Sequence, residues 1–151
     1  TGGIRDEGTS RHYLPIEFPA VADLDVTLAL REGARSTGYG VHVGVAQSKD
    51  SFYGQHEPER MPVADALAER WKAWMAGGAV ASEMEASALF IVASTLRVRA
   101  GGVMLLFQNL DHLPPTPEEQ ALGDVERVID AAIAGLRVLI RNDRASGRLG
   151  S

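Results

Sequence analysis

Two kinds of segment alternate along this chain: short runs rich in Val, Ala and Leu, and longer stretches whose apolar residues recur every three or four positions. That alternation points to an α/β architecture, because a helix with one apolar stripe needs a sheet face to cover. Residues 1–10, rich in glycine and charge, read as a loop, and Pro15 and Pro19 delay any helix until they are passed. From Ala22, the residues Leu24, Leu28 and Leu30 follow helical spacing as far as Gly33, with Asp23 placed to cap the first turn. Residues 41–46 alternate β-branched with small or polar side chains and predict a strand covered on both faces. Residues 63–76 predict a helix with Leu67, Trp71, Trp74 and Met75 on one side, stopped by Gly77-Gly78. Residues 79–82 predict a short buried strand running into a helix over 86–96, and residues 103–107 a fully apolar strand. Thr116-Pro117-Glu118-Glu119 supplies a cap, a first-turn proline and a capping-box glutamate. Val125, Val128, Ile129, Ala132, Ile133, Leu136 and Leu139 or Ile140 then sustain a long helix, and the tail from about Asn142 reads as polar and frayed. The expected fold is a three-layer α/β/α sandwich around a central mixed sheet.

A chain of 151 residues, 45% of them hydrophobic, can bury one genuine core and needs no second domain. No apolar run approaches bilayer length and the first residues lack a signal-peptide layout, so the expectation is a soluble, unprocessed, cytoplasmic protein without membrane contact. The absence of cysteine excludes a disulfide scaffold, a thiolate metal site and a cysteine nucleophile. A net charge of -5 argues against a nucleic-acid partner. Apart from Lys49 and Lys72 every basic residue is arginine, so an anionic ligand meets bidentate forks. The four histidines are scattered and none has a metal-binding partner at helical spacing, so no metal is expected. No nucleophile-elbow serine, phosphate-loop lysine or complete dinucleotide-binding glycine pattern is present, which argues against serine hydrolases and nucleotide triphosphatases.

Three polar clusters follow strand-like segments, at residues 50–60, 83–85 and 108–111, and open α/β sheets bind ligands at the carboxyl ends of their strands. Glu83-Met84-Glu85 lies among small apolar residues, where a carboxylate needs a partner. A ribose diol can donate two hydrogen bonds to such a group while the methionine packs on the sugar. The plainer alternative is that these glutamates oppose a helix dipole. Phe52, Gln55 and Arg60 combine an aromatic surface, an amide with both donor and acceptor, and a guanidinium, as a planar heterocycle requires; the plainer alternative is a solvated loop with Phe52 tucked inward. Asn109 and Asp111 could assist a leaving base, or simply form a turn.

Several ordered motifs carry a family resemblance: Ile4-Arg5-Asp6-Glu7-Gly8-Thr9-Ser10, Pro15-Ile16-Glu17-Phe18-Pro19-Ala20-Val21-Ala22-Asp23, Lys49-Asp50-Ser51-Phe52-Tyr53-Gly54-Gln55-His56, Pro58-Glu59-Arg60-Met61-Pro62 and Ser82-Glu83-Met84-Glu85-Ala86-Ser87-Ala88-Leu89-Phe90. From Thr1 to about Leu139 the chain resembles the C-terminal part of uridine phosphorylases, within the nucleoside phosphorylase family. The resemblance implies reversible cleavage of a nucleoside by inorganic phosphate, with phosphate as co-substrate, no cofactor or metal, and a homo-oligomer, a dimer or hexamer. It implies Glu85 on the ribose hydroxyls with Met84 and Glu83 beside it, Phe52 against the nucleoside, Gln55 on the uracil edge and Arg60 as a further base contact. It also implies that the family's phosphate loop and its arginines lie outside the similarity.

Two departures widen the reading. Glu57 occupies an alternative position for the base-contacting arginine, and Asn109-Leu110-Asp111 stands where many uridine phosphorylases carry another. Asp111 is therefore a candidate acid toward a purine, as in the related purine phosphorylases and nucleosidases. The alternatives to uridine phosphorolysis are a purine nucleoside phosphorylase, a nucleosidase, or a non-catalytic nucleoside-binding fragment.

Overall fold

A computed structural model describes residues 1–109, 116–121 and 123–148. The chain divides into two compact units, one of Thr1–Asp23 with His42–Gly101, the other of Leu24–Val41 with Gly102–Ser151.

The first unit holds a four-stranded sheet in the order β2-β1-β3-β4, with β1 Gly2–Asp6, β2 Ala20–Val21, β3 Val45–Lys49 and β4 Ala79–Glu83. β1 runs parallel to β3, β3 parallel to β4, and β2 antiparallel to β1, which makes the sheet mixed. The register sets Asp6 beside Lys49 and Ser48 beside Glu83, so the three parallel strands end together in charged residues. α2 (Phe52–His56), α3 (Ala64–Ala76) and α4 (Ala86–Leu96) belong to the same unit. Ala20, Ala86, Phe90 and Ile91 form its buried cluster, with Leu14, Ala22 and Ala100 packed against it. The N-terminus of α4 lies directly on β1: a Cβ on Gly3 would stand 2.9 Å from the Cα of Ser87, closer than real contacts allow.

The second unit contains α1 (Leu24–Ser36), α5 (Pro117–Ala121) and α6 (Val125–Ala145). α1 and α6 cross at glycine on glycine, where a Cβ on Gly33 would fall 2.1 Å from the backbone nitrogen of Gly135. Glu32 pairs with Arg141 at 2.6 Å, and Asp25 with Arg148. α6 buries Ala131, Gly135, Val138 and Asp143, while the bulkier Val125, Ile129, Ile133 and Leu136 remain exposed. Burial on this helix therefore follows close approach of backbones more than side-chain hydropathy.

Four sequence expectations are corrected. Residues 2–6, expected as loop, are the central strand β1, because their charged side chains find partners within the sheet edge and the loops beside it. The strand expected over 41–46 runs over Val45–Lys49, where Gln47, Ser48 and Lys49 are buried and hydrogen-bonded. Residues 103–107 form no strand, and Met104, Leu106 and Phe107 are exposed; apolar content supplies no ladder without a neighbouring strand. The polar tail expected from about Asn142 continues as helix to Ala145, with Asp143 buried. The expected helices over 63–76 and 86–96 are α3 and α4, each within one residue of its predicted bounds.

Candidate functional site

The carboxyl ends of β1, β3 and β4 carry two hydrogen-bonded networks. The first centres on Glu83, one of whose carboxylate oxygens accepts the Ser48 hydroxyl. Its other oxygen accepts the backbone N–H groups of Glu85 and Ala86, both at 2.7 Å. Glu83 thus caps α4 and fixes the turn that presents Glu85. The fully buried Ser48 also accepts the Ser87 N–H at 2.8 Å, and the Ser87 hydroxyl donates to Glu7 at 2.8 Å. Glu7 in turn accepts the Ser10 N–H at 2.8 Å. Burial would raise the Glu7 pKa, but hydrogen bonds from Ser10 and Ser87 and the charge of Arg5 together hold it below the ordinary carboxylate value. Arg5 completes this frame: its guanidinium donates to the Ser10 hydroxyl at 2.9 Å and to the carbonyls of Ser10, Leu14, Pro15 and Phe18.

The second network runs across the sheet edge. Arg70 of α3 pairs with Asp6, whose second oxygen accepts the Gln47 amide N–H at 2.6 Å. The Lys49 ammonium donates to the Ser82 hydroxyl oxygen at 2.8 Å. Ser82 Oγ lies 2.5 Å from the Gln55 carbonyl and 2.9 Å from the Gln47 carbonyl. The Gln55 amide nitrogen is buried and has no hydrogen-bond partner among the described residues. Burial lowers the Lys49 pKa, opposed by the charges of Glu83 and Glu85. His56 is likewise lowered, by burial first and then by Lys49, against Glu57. The Lys49 ammonium is thus felt by Glu83, Glu85 and His56, and Gln55 joins it through the Ser82 hydroxyl.

Ser51 caps α2 by accepting the Gly54 N–H at 2.9 Å, which orients the short helix carrying the proposed base contacts. Phe52 is half exposed and stacks on His56 at 4.0 Å between ring centres, with Tyr53 edge-on at 5.5 Å. Glu85 is exposed and its carboxylate makes no hydrogen bond among the described residues, while Met84 is half-buried beside it.

The structure therefore brings Gln55 to Ser82, the residue preceding Glu83-Met84-Glu85, and places Phe52 on the same short helix. It separates the two glutamates by role: both oxygens of Glu83 are engaged within the chain, and Glu85 is open to a ligand. Arg60 is not drawn into either network; it pairs with Glu57 at 2.5 Å, lies over the Tyr53 ring and is exposed. Asp111 lies outside the described residues. Gln47, Lys49 and Ser82 were missed as site residues, although the polar ending of a strand beside the polar ending of another is the signal that marks them. Among the described residues no three His, Asp or Glu side chains converge as a metal site requires, and no helix is long and apolar enough to cross a membrane.

Residues 1–141 match the Phosphorylase superfamily. Uridine phosphorylase of Treponema pallidum (strain Nichols) is 45% identical over 143 residues, covering 95% of this chain and 55% of that protein. Uridine phosphorylase of Thermococcus kodakarensis is 38% identical, covering 97% and 52% respectively. Guanosine phosphorylase of Halorubrum lacusprofundi is 31% identical, covering 92% and 56%. The chain thus spans about half the length of the curated relatives it matches. With a match reaching from its first residue to Arg141 and relatives this similar along nearly all of it, the chain belongs to the phosphorylase superfamily.

Proposed function

We propose that the protein is a nucleoside phosphorylase whose preferred substrate is uridine, releasing uracil and ribose 1-phosphate, with inorganic phosphate as co-substrate and no cofactor. The reading rests on one observation above others: Glu85 presents a carboxylate free of hydrogen bonds to the described residues, from a turn that Glu83 locks in place. A carboxylate so placed accepts the two ribose hydroxyls, and Met84 lines the sugar. Phe52 bounds the base and the unpartnered Gln55 N–H meets a base carbonyl. Phosphate attacks the anomeric carbon, the new C–O bond forms as the C–N bond breaks, and the base departs with the bonding electron pair. Holding the reactants in line contributes much of the rate. Uridine phosphorylases among the relatives support the choice of base, and the reading extends to a cytoplasmic homo-oligomer.

A purine substrate is the second reading, favoured by the guanosine phosphorylase relative, and there Asp111 would act as the acid toward the base. An assay of uridine, thymidine, inosine and adenosine with and without phosphate decides between them. Uridine cleavage that needs phosphate supports the first reading; equal cleavage without phosphate overturns phosphorolysis. Glu85→Ala is expected to lower kcat/KM by at least about 100-fold at unchanged Tm, since two hydrogen bonds to a charged acceptor are lost.

A further inference from the structure

Departing uracil leaves as an anion, so a site that speeds its departure needs positive charge aimed at the base. The arginine nearest in sequence does not supply it. Arg60 is exposed and neutralised by Glu57. The cation that the fold does place at the Gln55 network is Lys49, which is 7% exposed at the end of β3. Resting on the uridine reading above, we infer that Lys49 is a positioning residue for base departure: its ammonium, through the Ser82 hydroxyl, polarises the Gln55 amide whose N–H meets the base.

The donor arithmetic supports a directed relay. Ser82 has one hydroxyl hydrogen and two lone pairs. Lys49 is its only donor among the described residues, because Asp6 holds the Gln47 N–H and leaves only the Gln47 carbonyl toward Ser82. The Ser82 hydrogen therefore goes to a carbonyl, and the Gln55 oxygen at 2.5 Å is nearer than the Gln47 oxygen at 2.9 Å. A hydrogen bond accepted at the amide oxygen withdraws density from the amide nitrogen, so the Gln55 N–H becomes a stronger donor. That nitrogen is buried and lacks an acceptor among the described residues, an arrangement that a ligand carbonyl completes. No proton travels along the relay. The electron pair of the broken C–N bond stays on the base, its charge spreads onto the ring carbonyls, and the strengthened N–H meets one of them.

The test compares leaving groups. With phosphate saturating, kcat/KM is measured for uridine and for 5-fluorouridine, whose fluorine makes the base a better leaving group that needs less help. Lys49→Met is expected to lower kcat/KM about 30-fold for uridine but less than about 5-fold for 5-fluorouridine, the size of one charge-assisted hydrogen bond. Methionine keeps the length of the side chain and removes a charge that burial disfavours, so the fold should hold. Ser82→Ala interrupts the relay one atom further on and should show the same unequal losses, and Lys49→Arg should restore most of the uridine rate. Equal losses for both nucleosides in variants with the wild-type Tm would show a merely structural role and overturn the inference, as would an unaffected Lys49→Met protein. Phosphate-dependent cleavage of purine nucleosides with neither pyrimidine nucleoside cleaved would instead overturn the uridine reading, and the inference with it.

Discussion

The sheet edge and the α1–α6 pair are stabilised by opposite means. At the edge, Arg5, Glu7, Gln47, Ser48, Lys49 and Ser87 are buried, and each is held by hydrogen bonds to residues distant in sequence. Between α1 and α6, the buried residues are mostly Ala29, Gly33, Ala34, Ala131 and Gly135, and what matters is the side-chain atoms that are missing. Matching of donors to acceptors fixes direction, which a site needs to aim Glu85 and Gln55. Steric fit fixes separation only, and apart from the buried Asp143 the carboxylates beside it, Asp25 and Glu32, are exposed. The two regions should therefore fail differently, one under acid and one under added volume.

Added volume gives the largest effect. Gly33→Ala gains about 1 kcal/mol from helix propensity, as any glycine-to-alanine change within a helix does. Its methyl, however, meets the backbone nitrogen, Cα and carbonyl carbon of Gly135 and Ala134 at 2.1 to 2.5 Å, and backbone atoms cannot rotate away. The helices must part, and the net expectation is a loss of about 2 kcal/mol, read as a lower urea midpoint at unchanged slope. A variant as stable as the unaltered protein would mean that α1 and α6 do not cross at these glycines, and the contrast between the regions would collapse.

The same contrast explains what could be read from the chain beforehand. α3 and α4 were legible because apolar periodicity and terminating residues are local signals. The clusters around Gln55 and Glu85 could be marked as candidates because each follows a strand-like segment, where open α/β sheets bind ligands. β1 and the second half of β3 were not legible, since a strand ending in Arg5-Asp6 or Gln47-Ser48-Lys49 looks like loop until partners from other segments are known: Arg70 and Gln47 for Asp6, Ser82 for Lys49, Ser87 for Ser48. The apolar run 103–107 misled in the reverse direction, because hydropathy does not state whether a neighbouring strand exists. Nor does spacing distinguish Glu83 from Glu85; in the fold one carboxylate of the two, Glu83, turns back onto the backbone N–H groups of Glu85 and Ala86.

Acid should act on the edge first, and Glu7 tests this. Its pKa in the folded protein lies below the ordinary value of 4.5, so the unfolded chain takes up this proton first as pH falls. Glu7 therefore contributes its full stabilisation above about pH 4.5, and that contribution is lost as pH drops from there through the folded pKa. Glu7→Gln should cost about 1 to 2 kcal/mol near neutrality, because one of the two donors from Ser10 and Ser87 then faces an NH2 group. Below pH 4.5 the difference between the proteins should shrink, giving the variant a flatter acid limb in Tm against pH. Parallel limbs would show that Glu7 does not titrate with folding.

The smallest effect sharpens the comparison within the first unit itself. Arg60 and Glu57 form a close ion pair at 2.5 Å, shorter than most bonds of the buried networks, yet the Arg60 side chain is largely open to solvent and that of Glu57 is 40% exposed. Water screens such a pair, and two long side chains lose freedom to hold it. The guanidinium over Tyr53 at 5.5 Å adds a contact of the same exposed kind. If burial rather than proximity makes a polar contact matter here, Arg60→Ala leaves Tm within the repeat error and lowers kcat/KM for uridine by less than about threefold, far below the loss from Lys49→Met. A loss comparable to that of Lys49→Met would mean that Arg60 leaves Glu57 when nucleoside binds and carries the charge toward the base. The buried lysine would then have to be reassigned to holding β3 against β4.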